Sequence, residues 1–211
     1  MADLAAHRMN VPLCRIQLAQ LQAVLRESPH LAERRITRFL RQRMELSALI
    51  GLFDTTMTDC DQIAWEYRLF GDFQCDLVVG DSKRKTYTFV EFEDAGPASI
   101  FVKRAKKITR EWSSHFENGY SQIIDWFYKL QSMANTPDME DRFGKRTIVY
   151  TGLLVVGRDQ HLTPGEQMRL EWRREHVVVN SKKITCVTYD QLVDDLVRRL
   201  DSFGIYTQTQ P

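Results

Sequence analysis

Three carboxylates stand where strand geometry could bring them to one point. Asp76 sits within Cys75-Asp76-Leu77-Val78-Val79, and Glu91 and Glu93 end the run Thr86-Tyr87-Thr88-Phe89-Val90-Glu91-Phe92-Glu93. Both stretches read as β-strands, joined by the polar turn Asp81-Ser82-Lys83-Arg84-Lys85. Side chains alternate along a strand, so Glu91 and Glu93 share a face and Phe92 takes the other. If the strands pair, Asp76 can lie across from that acidic end. Carboxylates gathered this way repel one another unless a cation lies between them, and hard oxygen donors favour Mg2+ or Mn2+ over Zn2+. Such a centre suits metal-assisted hydrolysis of a phosphodiester. The plainer reading leaves Glu91 and Glu93 solvated on an edge strand. Asp76 argues against it, because a charge beside a buried apolar run is costly without a partner.

The elements that must hold these acids follow from periodicity. Ile16, Leu18, Leu21, Val24 and Leu25 give a helix over 15–28, and Pro29 is expected to open a second one with Leu31, Ile36, Phe39, Leu40 and Met44 inward. Arg34, Arg35, Arg38, Arg41 and Arg43 occupy its remaining surface; they could meet phosphates but read first as a solvated face. Strands begin at Trp65, with a Gly71-Asp72 hairpin turn before the strand of Asp76. A long helix is expected over 112–132, a polar loop over 135–145, and a central strand buried on both faces over 147–157. Thr163-Pro164-Gly165-Glu166 carries the cap, early proline and third-position acid of a helix start. A short strand over 183–188 and a last helix from Tyr189 complete the order. That alternation predicts an α/β mixed sheet flanked by helices, with an N-terminal helical extension over 1–62 and the sheet domain over 63–211.

Composition narrows the classes. The chain has 211 residues and a formal net charge of +1, so overall charge says nothing about nucleic acid. Four scattered cysteines (Cys14, Cys60, Cys75, Cys186) lack C-x-x-C spacing, against a zinc site or a disulfide framework and in keeping with a reducing cytoplasm. No signal peptide or membrane-length apolar run is evident, and a soluble cytoplasmic protein without a membrane partner is expected. The five histidines show no ligand spacing, and no glycine-rich phosphate loop supports a nucleotide cofactor.

The order helix, strand with Asp, strand with Glu-x-Glu, long helix, strand resembles the core of PD-(D/E)xK nucleases of the restriction-endonuclease type. Five blocks resemble more specifically the nuclease domain of Shedu antiphage defence proteins: 71–80, 89–95, 119–126, 153–158 and 187–192. The resemblance implies a Mg2+-dependent deoxyribonuclease, with Asp76 and Glu91 as metal ligands. Glu93 falls where the pattern usually has lysine; it would bind metal or act on the attacking water, and the Phe92 carbonyl would be a further ligand. Lys103, Lys106 or Lys107 would stand in for the missing lysine, with Lys106 the residue chosen. Gln122 and Trp126, four apart on one helix face, would orient the site, and Glu66 is a further candidate ligand. Lys103, Arg104, Lys106, Lys107 and Arg110 would hold the DNA backbone with little sequence preference. The same resemblance implies a homo-oligomer. The competing reading is a nuclease fold that has lost catalysis and binds only nucleic acid or a partner protein.

Overall fold

In a computed structural model the described residues are 3–104 and 107–207, with side chains described through residue 202. The chain begins with a short strand, β1 (Ala5–Ala6), and three helices, α1 (Val11–Glu27), α2 (Glu33–Arg41) and α3 (Met44–Gly51). An antiparallel set follows: β2 (Gln62–Leu69), β3 (Phe73–Asp81) and β4 (Thr86–Phe92). A small hairpin of β5 (Phe101–Val102) and β6 (Glu111–Trp112) leads into α4 (Ser114–Ser132) and α5 (Pro137–Phe143). Then come β7 (Val149–Val155), α6 (Pro164–His176), β8 (Val178–Val179), β9 (Lys182–Val187) and α7 (Tyr189–Thr207).

One seven-stranded sheet runs in the order β1-β2-β3-β4-β7-β9-β8. β4, β7 and β9 are parallel, and the other pairings are antiparallel. The expected mixed α/β sheet is therefore present. Its apolar residues divide between two layers. Leu77, Val79, Val90, Phe92, Leu153 and Val155 pack under α1, α2, α3 and α7. Val78, Phe89, Leu154, Val156 and Ile184 pack under α4, α5 and α6. β7 is flanked by β4 and β9, which explains why it is apolar on both faces. The three leading helices share the first of these layers with β3 and β4.

Several boundaries differ from expectation. Pro29 does not open α2; residues up to Ala32 stay outside the helix, and the Leu31 carbonyl accepts the Ala95 N–H at 2.9 Å. Met44 starts α3 rather than ending α2. The break is fixed at Arg43, whose guanidinium donates to Gln20 Oε1 (2.8 Å) and to the Phe39 carbonyl (3.0 Å). The 135–145 loop contains α5, capped by Thr136, begun by Pro137 and ended by Gly144 at φ +68°. Thr163 and Glu166 form the expected reciprocal cap of α6.

Candidate functional site

The β3–β4 ladder runs from Asp81–Thr86 to Leu77–Val90. One step further, Asp76 replaces a main-chain partner: its Oδ2 accepts the Phe92 N–H at 2.9 Å. The disturbance also reaches β2. Trp65 pairs with Leu77 and Tyr67 with Cys75, and between them Glu66 takes φ +51°. Trp65 and Leu77 pack in the layer of α1 and α7, whereas Tyr67 and Cys75 lie in the layer of α4. Residues two apart thus lie in opposite layers, and regular alternation is suspended at Glu66 and Asp76. A non-glycine residue at positive φ is uncommon and marks a strained position of the kind that functional sites hold.

Glu91 and Glu93 arrive at the same place from β4 and are buried. The main chain of Glu93 is fixed on both sides: its N–H donates to the Val155 carbonyl and its carbonyl accepts the Tyr189 hydroxyl, each at 2.9 Å. Helix α4 supplies the facing groups. His115, Gly119 and Gln122 lie at i, i+4 and i+7 on one side of it. Gln122 Nε2 donates to Glu91 Oε1 at 2.7 Å, and His115 Nδ1 lies 3.1 Å from Glu93 Oε2. Gly119 makes the close approach feasible, since a Cβ there would stand 2.7 Å from Leu154 Cδ1 and 3.1 Å from Glu93 Cγ.

Electrostatics sets these acids apart from surface carboxylates. Burial pushes Glu91 up to about 9, and the neighbouring charges of Asp76, Glu93 and Glu33 add to the shift. Asp76 rises to about 6, again mainly by burial, with the Phe92 N–H pulling the other way. Burial raises Glu93 to about 7 against the opposing hydrogen bond from His115. A desolvated group of like charges is a place where a cation would be stabilised.

Asp76, Glu91, Glu93 and Gln122 therefore come together. The three-carboxylate cage expected from the spacing is not assembled: among the described residues, no three His, Cys, Asp or Glu side chains are grouped so as to hold a metal. Glu93 is engaged by His115 instead. What remains is Asp76 Oδ1 and Glu91 Oε2, neither of which has a protein hydrogen bond among the described residues. Two carboxylate oxygens with solvent completing the shell is a donor set that fits Mg2+, which keeps several waters and often takes one or two carboxylates.

Other expected residues lie elsewhere. Trp126 is a core residue, packed in the layer of Phe127 and Ile123. Glu66 pairs with Arg41 at 2.7 Å. Lys106 lies outside the described residues. Of the basic run, Arg110 is spent on structure: it clasps Glu166 through Nε (2.6 Å) and Nη2 (2.5 Å) and reaches the Pro97, Phe101 and His161 carbonyls. Arg104 and Lys107 are exposed but pair with Glu111, and Lys103 is exposed without an ion pair among the described residues. Two residues were not placed at the acids by sequence reasoning, which read His115 as a helix-surface histidine that could at most touch phosphate. His115 had no ligand spacing to mark it, although a helix start following the Glu-x-Glu strand was a hint. Glu33 lies far away in the chain, and nothing in its surroundings signals that its charge acts on all three acids.

No helix of the described residues is long and apolar enough to cross a membrane. No curated protein matches the chain. The family model described as Shedu protein SduA, C-terminal, matches residues 30–193, which takes in α2 and every residue of the acid cluster. With well over half of its length matched, the chain belongs to the Shedu SduA C-terminal family.

Proposed function

We propose that the protein is a Mg2+- or Mn2+-dependent DNA endonuclease of the PD-(D/E)xK type, acting in bacterial antiphage defence as a cytoplasmic homo-oligomer. The observation that carries the chemistry is the pair of unpartnered oxygens, Asp76 Oδ1 on a half-buried carboxylate and Glu91 Oε2 on a buried one. Family membership supports the defence role.

Asp76 and Glu91 would hold the cation, with Gln122 fixing Glu91 Oε1 so that Oε2 faces the ion. A bound divalent ion would polarise the phosphoryl oxygen and lower the pKa of a coordinated water. Glu93 takes the proton of the attacking water; a carboxylate titrating near neutrality is suited to that task. A His115 Nδ1–H donated to Glu93 Oε2 keeps the other carboxylate oxygen turned to the substrate. Lys103 and the hairpin between β5 and β6 would add attraction for the backbone, reduced by Glu111.

The inactive binding module retains one specific support. Glu93 stands in the lysine position, and among the described residues no lysine pairs with Asp76, Glu91 or Glu93. Plasmid cleavage with Mg2+, Mn2+ or chelator, beside Asp76→Asn and Glu91→Gln, decides between them. Metal-dependent cutting lost in both variants is expected. Intact DNA binding without cutting under either metal would favour the binding module.

A further inference from the structure

We infer that Arg34, Arg38 and Arg41 on α2 form the surface that grips the phosphate backbone of a DNA duplex beside the acid cluster. The inference rests on the nuclease reading of that cluster and adds where its substrate is held.

Helix α2 buries Ile36 and Leu40, which fixes its orientation on the sheet. At ~100° per residue, Arg34, Arg38 and Arg41 then fall within about 60° of arc on the side turned away from the core, in a row ~10 Å long. Arg34 and Arg38 are exposed and make neither an ion pair nor a hydrogen bond through their guanidinium groups among the described residues. Arg41 ends the row at the site itself. It pairs with Glu66, the strained residue beside Asp76, and lies 5.5 Å over the Trp65 ring. Trp65 in turn stacks on Phe92, between the two β4 acids, at 5.8 Å. The Leu31 carbonyl just before the helix accepts the N–H of Ala95, two residues past Glu93, and Arg41 at its end pairs with Glu66, so the helix runs along the cluster rather than away from it.

Charge complementarity identifies the occupant. Arg34 and Arg38, without protein partners among the described residues, continue the row that Arg41 ends at the carboxylate centre, and match a polyanion whose phosphates must approach that centre. The β5–β6 hairpin is the less suitable place, because Arg110 is clasped by Glu166 and Arg104 and Lys107 face Glu111, which leaves Lys103 as its one unpaired cation among the described residues. A solvated helix face, the first reading of this arginine cluster, predicts no particular relation to the site; the contacts of Arg41 supply one.

The test is anisotropy of a short fluorescein-labelled DNA duplex with the full chain in EDTA, across a salt series. It compares wild type, Arg34→Ala/Arg38→Ala and the control Arg146→Ala. Arg146 pairs with Glu140 just before β7, at the sheet end opposite the acids. If each arginine neutralises one phosphate, the double variant lowers the salt slope by about 2 and loses ~10-fold affinity per arginine near 0.1 M salt. The control should match wild type. An unchanged slope in the double variant overturns the inference, as does a wild type that fails to bind duplex at low salt. Melting the same proteins and Asp76→Asn in EDTA-free buffer with and without Mn2+ separates the two failures. A metal-induced rise in Tm that Asp76→Asn abolishes leaves the acid cluster standing as a metal site even if α2 proves not to bind DNA.

Discussion

Replacing Glu91 with glutamine should make the metal-free protein more stable at alkaline pH while abolishing its function. The folded carboxyl titrates at about 9 and the ordinary value is 4.5, so the folded state binds the extra proton across that window. Stability from this group is complete below the unfolded value and is lost as pH rises through the folded one. At pH 8 the cost approaches 1.36 × 3.5, or about 5 kcal/mol. Asp76 and Glu93 share the repulsion and relax when one partner is neutral, so about half of that, roughly 2–3 kcal/mol, is expected. Glutamine keeps the shape and can still accept from Gln122 but never carries the charge. For a chain of this size the gain corresponds to a Tm increase of about 5–10 °C at pH 8, shrinking to near zero at pH 5. Melting wild type and Glu91→Gln at both pH values in EDTA, then with Mg2+, measures it. Mg2+ should raise the wild-type Tm and leave the variant unmoved. A variant no more stable than wild type at pH 8, or stabilised equally at both pH values, would refute the argument that burial holds the Glu91 proton far above the ordinary carboxylate range.

Gln122→Leu should lower metal-dependent cleavage by about 10–100-fold with an unchanged melting curve, since Gln122 is exposed and its bond is to Glu91; wild-type rates would remove Gln122 from the site. Gly119→Ala should displace Glu93 and cut cleavage by at least about tenfold. Its stability should move little, because alanine's helix preference of ~1 kcal/mol offsets part of the crowding; a fully active variant would show that the helix shifts freely. Arg158→Met should cost roughly 2–3 kcal/mol, read by chemical denaturation, because it leaves the buried Leu25 carbonyl without that donor and Asp190 with only the Asp159 N–H; a loss under about 1 kcal/mol would contradict that reading.

The sheet was legible wherever apolar alternation and turn residues agreed, as for β3, β4 and β7. Thr163 with Glu166 marked α6 because a cap is a local signal. The same local signal at Thr136-Pro137 was passed over, since only Met139 and Phe143 give α5 an apolar face. The start of α2 depends on a distant contact, Leu31 with Ala95, that no window of sequence contains. Asp76 and Glu91 could be singled out because pairing of their two strands brings them close, whereas Gln122 was marked by resemblance to the family's helix and not by spacing, since Trp126 four residues on lies in the core. Spacing alone could not show that Glu93 turns to His115, nor that Arg110 is drawn into a clasp with Glu166 from across the fold. Those pairings are set by how helices pack on the sheet.

Asp76 closes the β3–β4 ladder with a side chain where a peptide group would otherwise serve. A single backbone proton, that of Phe92, therefore senses the occupancy and charge of the carboxylate proposed to hold the metal. Its amide resonance should move as Asp76 titrates near 6, and again on addition of Mg2+. Its exchange with solvent should accelerate in Asp76→Ala well beyond that of the amides flanking it. Catalytic loss in that alanine variant would then carry a loosening of the strand end within it. Asp76→Asn retains an oxygen that can accept from Phe92 and is the variant that isolates the chemistry from the architecture.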